Sequence, residues 1–173
     1  MIKISFVTIL TKIDGFTIRQ AVESDVPLIL SFVKELADYE KLSHEVLATE
    51  EDFRQYLFGE KQFAEVVIGE YHSVPVGYAL YFYNFSTFIG KPGLYLEDLY
   101  IKQEERGKGF GKAMLSYLAK LAVDQKFGRY EWAVLDWNEP SINFYKSIGA
   151  IQLNEWIINR VTGDNLLKLS DEF

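Results

Sequence analysis

Residues 95–112 read Tyr95-Leu96-Glu97-Asp98-Leu99-Tyr100-Ile101-Lys102-Gln103-Glu104-Glu105-Arg106-Gly107-Lys108-Gly109-Phe110-Gly111-Lys112. The first seven form an apolar strand pattern interrupted by two adjacent carboxylates. Burying a bare carboxylate is costly, so Glu97 and Asp98 each need a partner, a wet cleft or a raised pKa. A buried ion pair or an edge strand would also accommodate them, and in a regular strand they would point to opposite faces. The loop that follows carries three glycines and several cations immediately before an amphipathic helix pattern. Glycine lets backbone N–H groups approach an anion, and a helix N-terminus adds partial positive charge. Arg106 to Lys112 therefore reads as a pyrophosphate cradle or as a plain structural turn.

Spacing removes two nucleotide-binding alternatives. A dinucleotide fingerprint requires glycine three residues after Gly109, where Lys112 stands. A P-loop requires glycine at the position of Arg106 and Ser or Thr at that of Ala113.

Working outward toward the N-terminus, Val76 to Phe85 is a strand apolar enough to be covered on both faces. A turn at His72 to Pro75 joins it to a strand at Ala64 to Glu70. The loop Ser86 to Gly93 leads into the carboxylate-bearing strand. Thr49 caps a helix, with Asp52 as the capping-box acid. That helix turns Phe53, Tyr56 and Leu57 inward and stops at Gly59. Before it, Val26, Leu28, Ile29, Phe32, Val33 and Leu36 recur at helical spacing behind an N-cap at Ser24-Asp25. Phe16 to Gln20 is a first strand. Residues 1–14 read as an extra strand or a loose arm. Their apolar run is too short for a secretion signal or a membrane span.

Toward the C-terminus, a helix from about Gly109 to Lys126 carries an apolar stripe of Met114, Leu115, Leu118, Leu121 and Ala122 and ends at Gly128. Tyr130 to Leu135 is a strand. Asp136 to Ser141 leads into a short helix, Ile142 to Ser147, closed by Gly149. Glu155 to Val161 and Asn165 to Leu169 are expected to form a hairpin around Thr162-Gly163-Asp164. This order of elements predicts a mixed α/β fold, with residues 1–15 as an N-terminal extension and 16–173 as one domain.

The net charge of −7 argues against general nucleic-acid binding, which needs a basic footprint. It mildly favours a cationic small substrate, although solubility alone would account for it. The absence of cysteine excludes disulfides, thiolate metal sites and a cysteine nucleophile, and fits a cytoplasmic setting. With only His44 and His72 available, no metal centre is expected.

Tyr145 lies in Asn143-Phe144-Tyr145-Lys146 and would be read alone as a core aromatic. Together, however, the carboxylate strand, the glycine loop and this segment resemble the GNAT superfamily of acetyl-CoA-dependent N-acetyltransferases. Arg106-Gly107-Lys108-Gly109-Phe110-Gly111 fits its loop pattern, Gln/Arg-x-x-Gly-x-Gly/Ala. The similarity is closer to the branch of diamine (spermidine/spermine) and thialysine N-acetyltransferases. It is carried by Lys34-Glu35-Leu36-Ala37, Tyr39-Glu40, Ile89-Gly90-Lys91, Tyr95-Leu96-Glu97-Asp98 and Trp137-Asn138-Glu139-Pro140-Ser141-Ile142-Asn143-Phe144-Tyr145-Lys146, and spans about residues 16–169.

The resemblance implies a mostly antiparallel sheet whose middle strands splay apart, flanked by helices, and a direct transfer with no acyl-enzyme. It implies acetyl-CoA as co-substrate, held by Leu99, Tyr100 and Ile101, by Arg106, Gly107, Lys108, Gly109, Phe110, Gly111 and Lys112, and by Asn138 and Ser141. Tyr145 matches the general acid for the departing thiolate, and Glu97 the acid that helps deprotonate the amine through water. Tyr39, Glu40, Glu97 and Asp98 match positions that face a small amine. The polyamine enzymes carry an additional Asp-Pro before their Trp-Ile-Gly-Lys. Here Ser86-Thr87-Phe88 occupies that region, with Ser86 expected on the substrate side, so a lysine-like amino acid is expected at least as readily as spermidine. A non-catalytic acetyl-CoA sensor and a protein N-acetyltransferase are the competing readings. The family also implies a homodimer with C-terminal strands at the contact.

Overall fold

Runs rich in Val, Ile and Tyr form strands because branched and aromatic side chains pack well on a pleated surface. The computed structural model describes residues 8–173. They group into two compact units, one ending at Ala133 and one spanning Val134–Phe173. The first unit holds β1 (Thr8–Leu10), β2 (Phe16–Gln20), α1 (Val26–Tyr39), α2 (Glu50–Phe53), β3 (Glu65–Tyr71), β4 (Val74–Ser86), β5 (Lys91–Ile101), α3 (Phe110–Asp124) and β6 (Arg129–Trp132). The second holds α4 (Glu139–Ser147) and α5 (Gly163–Ser170).

The six strands form one sheet in sequence order. Neighbours from β1 to β5 are antiparallel, whereas β5 and β6 are parallel. Connection lengths account for this. His72 and Ser73, with φ of 48° and 65°, make the two-residue turn whose twist suits a β3–β4 hairpin. Helix α3 supplies the long crossover that a parallel β5–β6 pair requires.

Helix α1 covers one face of the sheet. Ile29 and Phe32 pack there with Val66, Ile68, Tyr78 and Tyr100, and Phe32 stacks on Tyr78 at 5.7 Å. On the opposite face α3 buries Phe110, Met114, Leu115, Leu118 and Ala122, with Phe110 stacked on Phe16 at 4.2 Å. This is the mixed, mostly antiparallel α/β architecture that the sequence predicts.

Several local expectations are corrected. The closing hairpin is absent: residues 155–161 form no strand, and 163–170 are helix α5. A strand needs a neighbouring backbone, and no ladder forms there among the described residues. Leucine and lysine then favour helix, while Asp164 in the first turn and Lys168 in the last complement its dipole. Residues 151–173 are exposed throughout. Helix α3 ends at Asp124 rather than at Gly128, and Lys126 takes the left-handed conformation with φ 59°. The outer half of β4 is not covered on both faces, since Tyr83 and Phe85 are exposed. Tyr56 is also exposed and meets Phe63 edge-on at 5.8 Å. Asp25 stands at the N-cap of α1 without capping it; its carboxylate accepts from Arg19 at 2.6 and 2.9 Å and from the Val22 N–H at 2.9 Å. Strand β1 lies within the N-terminal extension, whose residues 1–7 fall outside the described part.

Candidate active site

Strand β5 departs from regularity in two places. Leu80 pairs with Asp98 and Tyr81 with Leu96, which leaves Glu97 without a partner on β4. This is a β-bulge, a device that bends a strand and re-aims its side chains. The alternation that would send Glu97 and Asp98 to opposite faces is broken at that point. On the other edge, pairing with β6 runs from Gly93↔Arg129 only as far as Leu96↔Trp132. From Glu97 to Ile101, β5 therefore has no β6 ladder beside it; the two strands that part are the last two of the described sheet, not its middle pair.

The bulge assembles an acidic corner. Asp98 accepts a hydrogen bond from the Tyr78 hydroxyl at 2.9 Å. Burial pushes the Asp98 carboxyl above its ordinary value; the Tyr78 bond pulls it down and the charge of Glu97 pushes it up. Glu40, half-buried just past the end of α1, is likewise raised by burial and by the charge of Asp98. The Tyr78 hydroxyl is pushed well above the usual phenol value, by burial first and by Asp98, Glu40 and Glu97 after it. Tyr78 is therefore a fixed neutral donor. The last turn of α1 contains no basic residue, so its negative dipole end reinforces the three carboxylates. Charge on Asp98 and Glu40 is disfavoured there, and a cation would relieve it.

The glycine loop begins where β5 ends. After a 3₁₀ turn at Gln103–Glu105, Gly107 and Gly109 have φ of 78° and 87°, a left-handed region that favours glycine. Gly109 is the N-cap of α3 and offers no side-chain cap. The first N–H groups of α3 thus remain available to an anion. Side chains in the loop are largely committed to the protein. Lys108 bonds Glu105 at 2.7 Å, Phe110 is buried against Phe16, and Arg106 Nε donates to the Ile101 carbonyl at 3.0 Å. Lys112 is exposed. The Tyr100 side chain belongs to the α1 core, and its hydroxyl, pushed up to about 12 by burial and by Glu35, donates to Glu35 at 2.9 Å.

In the second unit, Asn138 is buried at the N-cap of α4 and accepts from the Ser141 N–H at 3.3 Å. Tyr145 lies on the same helix, its ring 5.5 Å from that of Phe144. Ser86 is a buried residue at the far end of β4, opposite Lys91. Six residue steps along β5 separate Lys91 from Glu97, about 20 Å of strand. The structure thus brings together Glu40, Glu97 and Asp98 and does not bring Ser86 to them. The sequence carries no signal that marks Tyr78 as a site residue. Tyr78 sits in an apolar run and reads as core, and only the β4–β5 register shows that it faces Asp98.

The family model described as Acetyltransferase (GNAT) family matches residues 31–150, which include the bulge, the glycine loop and Tyr145. The chain belongs to the GNAT family. It is an N-acetyltransferase, as its GNAT relatives also indicate. It is 39% identical over 164 residues to the thialysine N-epsilon-acetyltransferase of Bos taurus, covering 88% of this chain and 96% of the relative. It is 32% identical to the L-ornithine N5-acetyltransferase of Arabidopsis thaliana, covering 86% and 85% of the two chains. Among solved structures it resembles an integron cassette protein from the mobile metagenome of V. cholerae, with a TM-score of 0.75 and 28% identity over 90% of this chain and 98% of the other.

Proposed function

We propose that this GNAT enzyme moves an acetyl group from acetyl-CoA directly to a primary amine of a small cationic substrate, a lysine-like amino acid such as thialysine or ornithine, or a diamine. The observation that carries this is the convergence of Glu40, Glu97 and Asp98 on the bulge of β5, with Tyr78 bonded to Asp98. Three carboxylates at a helix C-terminus suit a compact cation better than a peptide backbone. The names of the Bos taurus and Arabidopsis relatives point to amino-acid side-chain amines of that kind.

The residues present fit acetyl-CoA. The open edge of β5 at Leu99 to Ile101 supplies amide groups for a pantetheine arm, and the Gly107 to Lys112 backbone supplies N–H groups for a pyrophosphate. The co-substrate brings the reactive thioester. A thioester needs a neutral amine, yet an amine of pKa ~10.4 is neutral in only about one molecule in 10³ at pH 7. Glu97, exposed on the bulge, takes the role of base through water. Asp98 and Glu40 hold a second positive charge of the substrate. Tyr145 gives a proton to the departing thiolate. The exposed apolar residues Trp156, Ile157, Ile158 and Leu169 are surfaces that a second copy would cover in a homodimer. The lack of cysteine fits a cytoplasmic enzyme.

A CoA-release assay with thialysine, lysine, ornithine, putrescine and spermidine tests the proposal. The expected result is turnover with kcat/KM highest for the lysine-like amino acids. Tight acetyl-CoA binding with no turnover on any amine would make the chain a sensor. Preference for a peptide N-terminus would make it a protein N-acetyltransferase.

A further inference from the structure

The Arg106 side chain does not extend toward the space before α3. Its Nε donates to the Ile101 carbonyl at 3.0 Å, and its guanidinium carbon lies 4.4 Å from the ring centre of Tyr39 and 5.6 Å from that of Tyr100. Both rings offer their faces to a delocalised cation, a favourable arrangement for arginine. The Tyr100 hydroxyl in turn donates to Glu35 at 2.9 Å, four residues before Tyr39 and so on the same side of α1. Glu40 follows Tyr39, and the chain then turns at Lys41 with φ 62°. One cation therefore joins three parts: the end of β5, the start of the glycine loop and the last turn of α1.

We infer that Arg106 is a positioning residue that ties the glycine loop to the amine-facing end of α1, so that anchoring a pyrophosphate on Gly107 to Lys112 orders Tyr39 and Glu40 for the amine. This rests on the reading of the site proposed above. Arg106 immediately precedes Gly107 and stands three residues before Gly109, both in the left-handed region. An anion that fixes those glycines fixes the point from which the guanidinium reaches. Tyr39 lies in the last turn of α1 and Glu40 directly follows it, so the Arg106 contact with the Tyr39 ring links the loop to where that turn rests. Coupling of this kind is reciprocal: an amine held at Glu40 strengthens co-substrate binding by the same factor.

The test uses the full chain and acetyl-CoA alone as probe. Calorimetry measures acetyl-CoA binding, and hydrogen exchange with mass spectrometry follows the amides of residues 36–45. In the wild type, acetyl-CoA is expected to slow exchange there by about fivefold or more. At acetyl-CoA concentrations that calorimetry shows to be saturating for each variant, Arg106→Gln and Tyr39→Leu lose the slowing, whereas Tyr39→Phe keeps the ring and restores it. Where thialysine is acetylated, its KM rises about fivefold or more in Arg106→Gln and Tyr39→Leu, with a smaller change in kcat. If wild type binds acetyl-CoA without any change at 36–45, the inference is overturned. It is also overturned if Arg106→Gln keeps the slowing, or if Tyr39→Phe behaves like Tyr39→Leu. Should Arg106→Gln fail to fold, the Tyr39 pair decides alone. Failure of the wild type to bind acetyl-CoA at all would instead overturn the proposed function, and the inference with it.

Discussion

The Tyr78 hydroxyl on β4 donates to Asp98 Oδ2 on β5 at 2.9 Å. Tyr78 is buried beneath Phe32 of α1, so its ring cannot swing away and its proton has one destination. The bond holds a carboxylate in a place that burial and the neighbouring Glu97 make unfavourable for charge. The core of the sheet thereby fixes the orientation of a residue proposed to face the amine.

Asp98→Asn is expected to stabilise the fold and weaken the amine site. The folded state raises the Asp98 pKa, through burial above all, against the lowering effect of the Tyr78 bond. A carboxyl raised on folding binds more protons in the native than in the unfolded chain. Its contribution to stability therefore falls as pH rises from the ordinary carboxylate range through the folded pKa. Asparagine keeps an acceptor for Tyr78 without the charge. Calorimetry at pH 8 should show Tm higher by about 2–4 °C, the shift that roughly 1 kcal/mol makes in a chain of this size. The gain should shrink as pH is lowered toward about 4, while the KM for a diamine or lysine-like amine rises. An equal Tm change at both pH values would mean that charge is not the cause.

Glu97→Gln tests the base. General-base assistance is worth about 10²–10⁴ in rate, so kcat should fall by that factor near neutrality. Activity should partly recover toward pH 10, where the amine loses its proton unaided. Full pH–rate profiles of both proteins provide the check. A small loss at pH 7 with no recovery at high pH would remove Glu97 from this role. The exposure of Glu97 on the bulge favours the assignment, because water can reach the carboxylate and the amine together.

Much of this arrangement was legible in the sequence because it rests on local rules. Alternation and β-branched runs located the strands, Thr49 and Asp52 form the reciprocal capping box expected of their spacing, and glycines marked the loop before α3. The remainder depends on register and on long-range partners. The bulge at Glu97 arises from how β4 lies against β5, and no spacing within Tyr95 to Ile101 encodes it. Tyr78 looked like any core aromatic for the same reason. Arg106 lies in the glycine loop, and no local spacing reveals that its side chain folds back onto Ile101 and Tyr39. At the C-terminus, branched residues suggested strands, but without a neighbouring strand the chain settled into coil and helix.

The glycine loop separates conformation from space. Gly107 and Gly109 adopt left-handed φ, which costs a residue with Cβ about 1–2 kcal/mol. An alanine at Gly107 would meet nothing within 4 Å, so its effect is purely conformational; at Gly109 the Cβ would also press on Ile13 Cδ1 at 3.3 Å. Gly111 has no such φ, and an added Cβ would sit 3.8 Å from Ile101 Cγ1, an ordinary contact. Gly107→Ala is therefore expected to raise the KM for acetyl-CoA by about tenfold, the equivalent of 1.4 kcal/mol, with kcat at saturation less affected. Gly109→Ala should do so more strongly and lower Tm as well, because it disturbs the N-cap of α3 along with the loop. Gly111→Ala should stay within about twofold of wild type in both quantities. Steady-state kinetics with acetyl-CoA as the varied substrate measures all three. If Gly111→Ala were as damaging as Gly107→Ala, the requirement would lie in close approach of a ligand to all three glycines, and backbone conformation would not be the reason for glycine here.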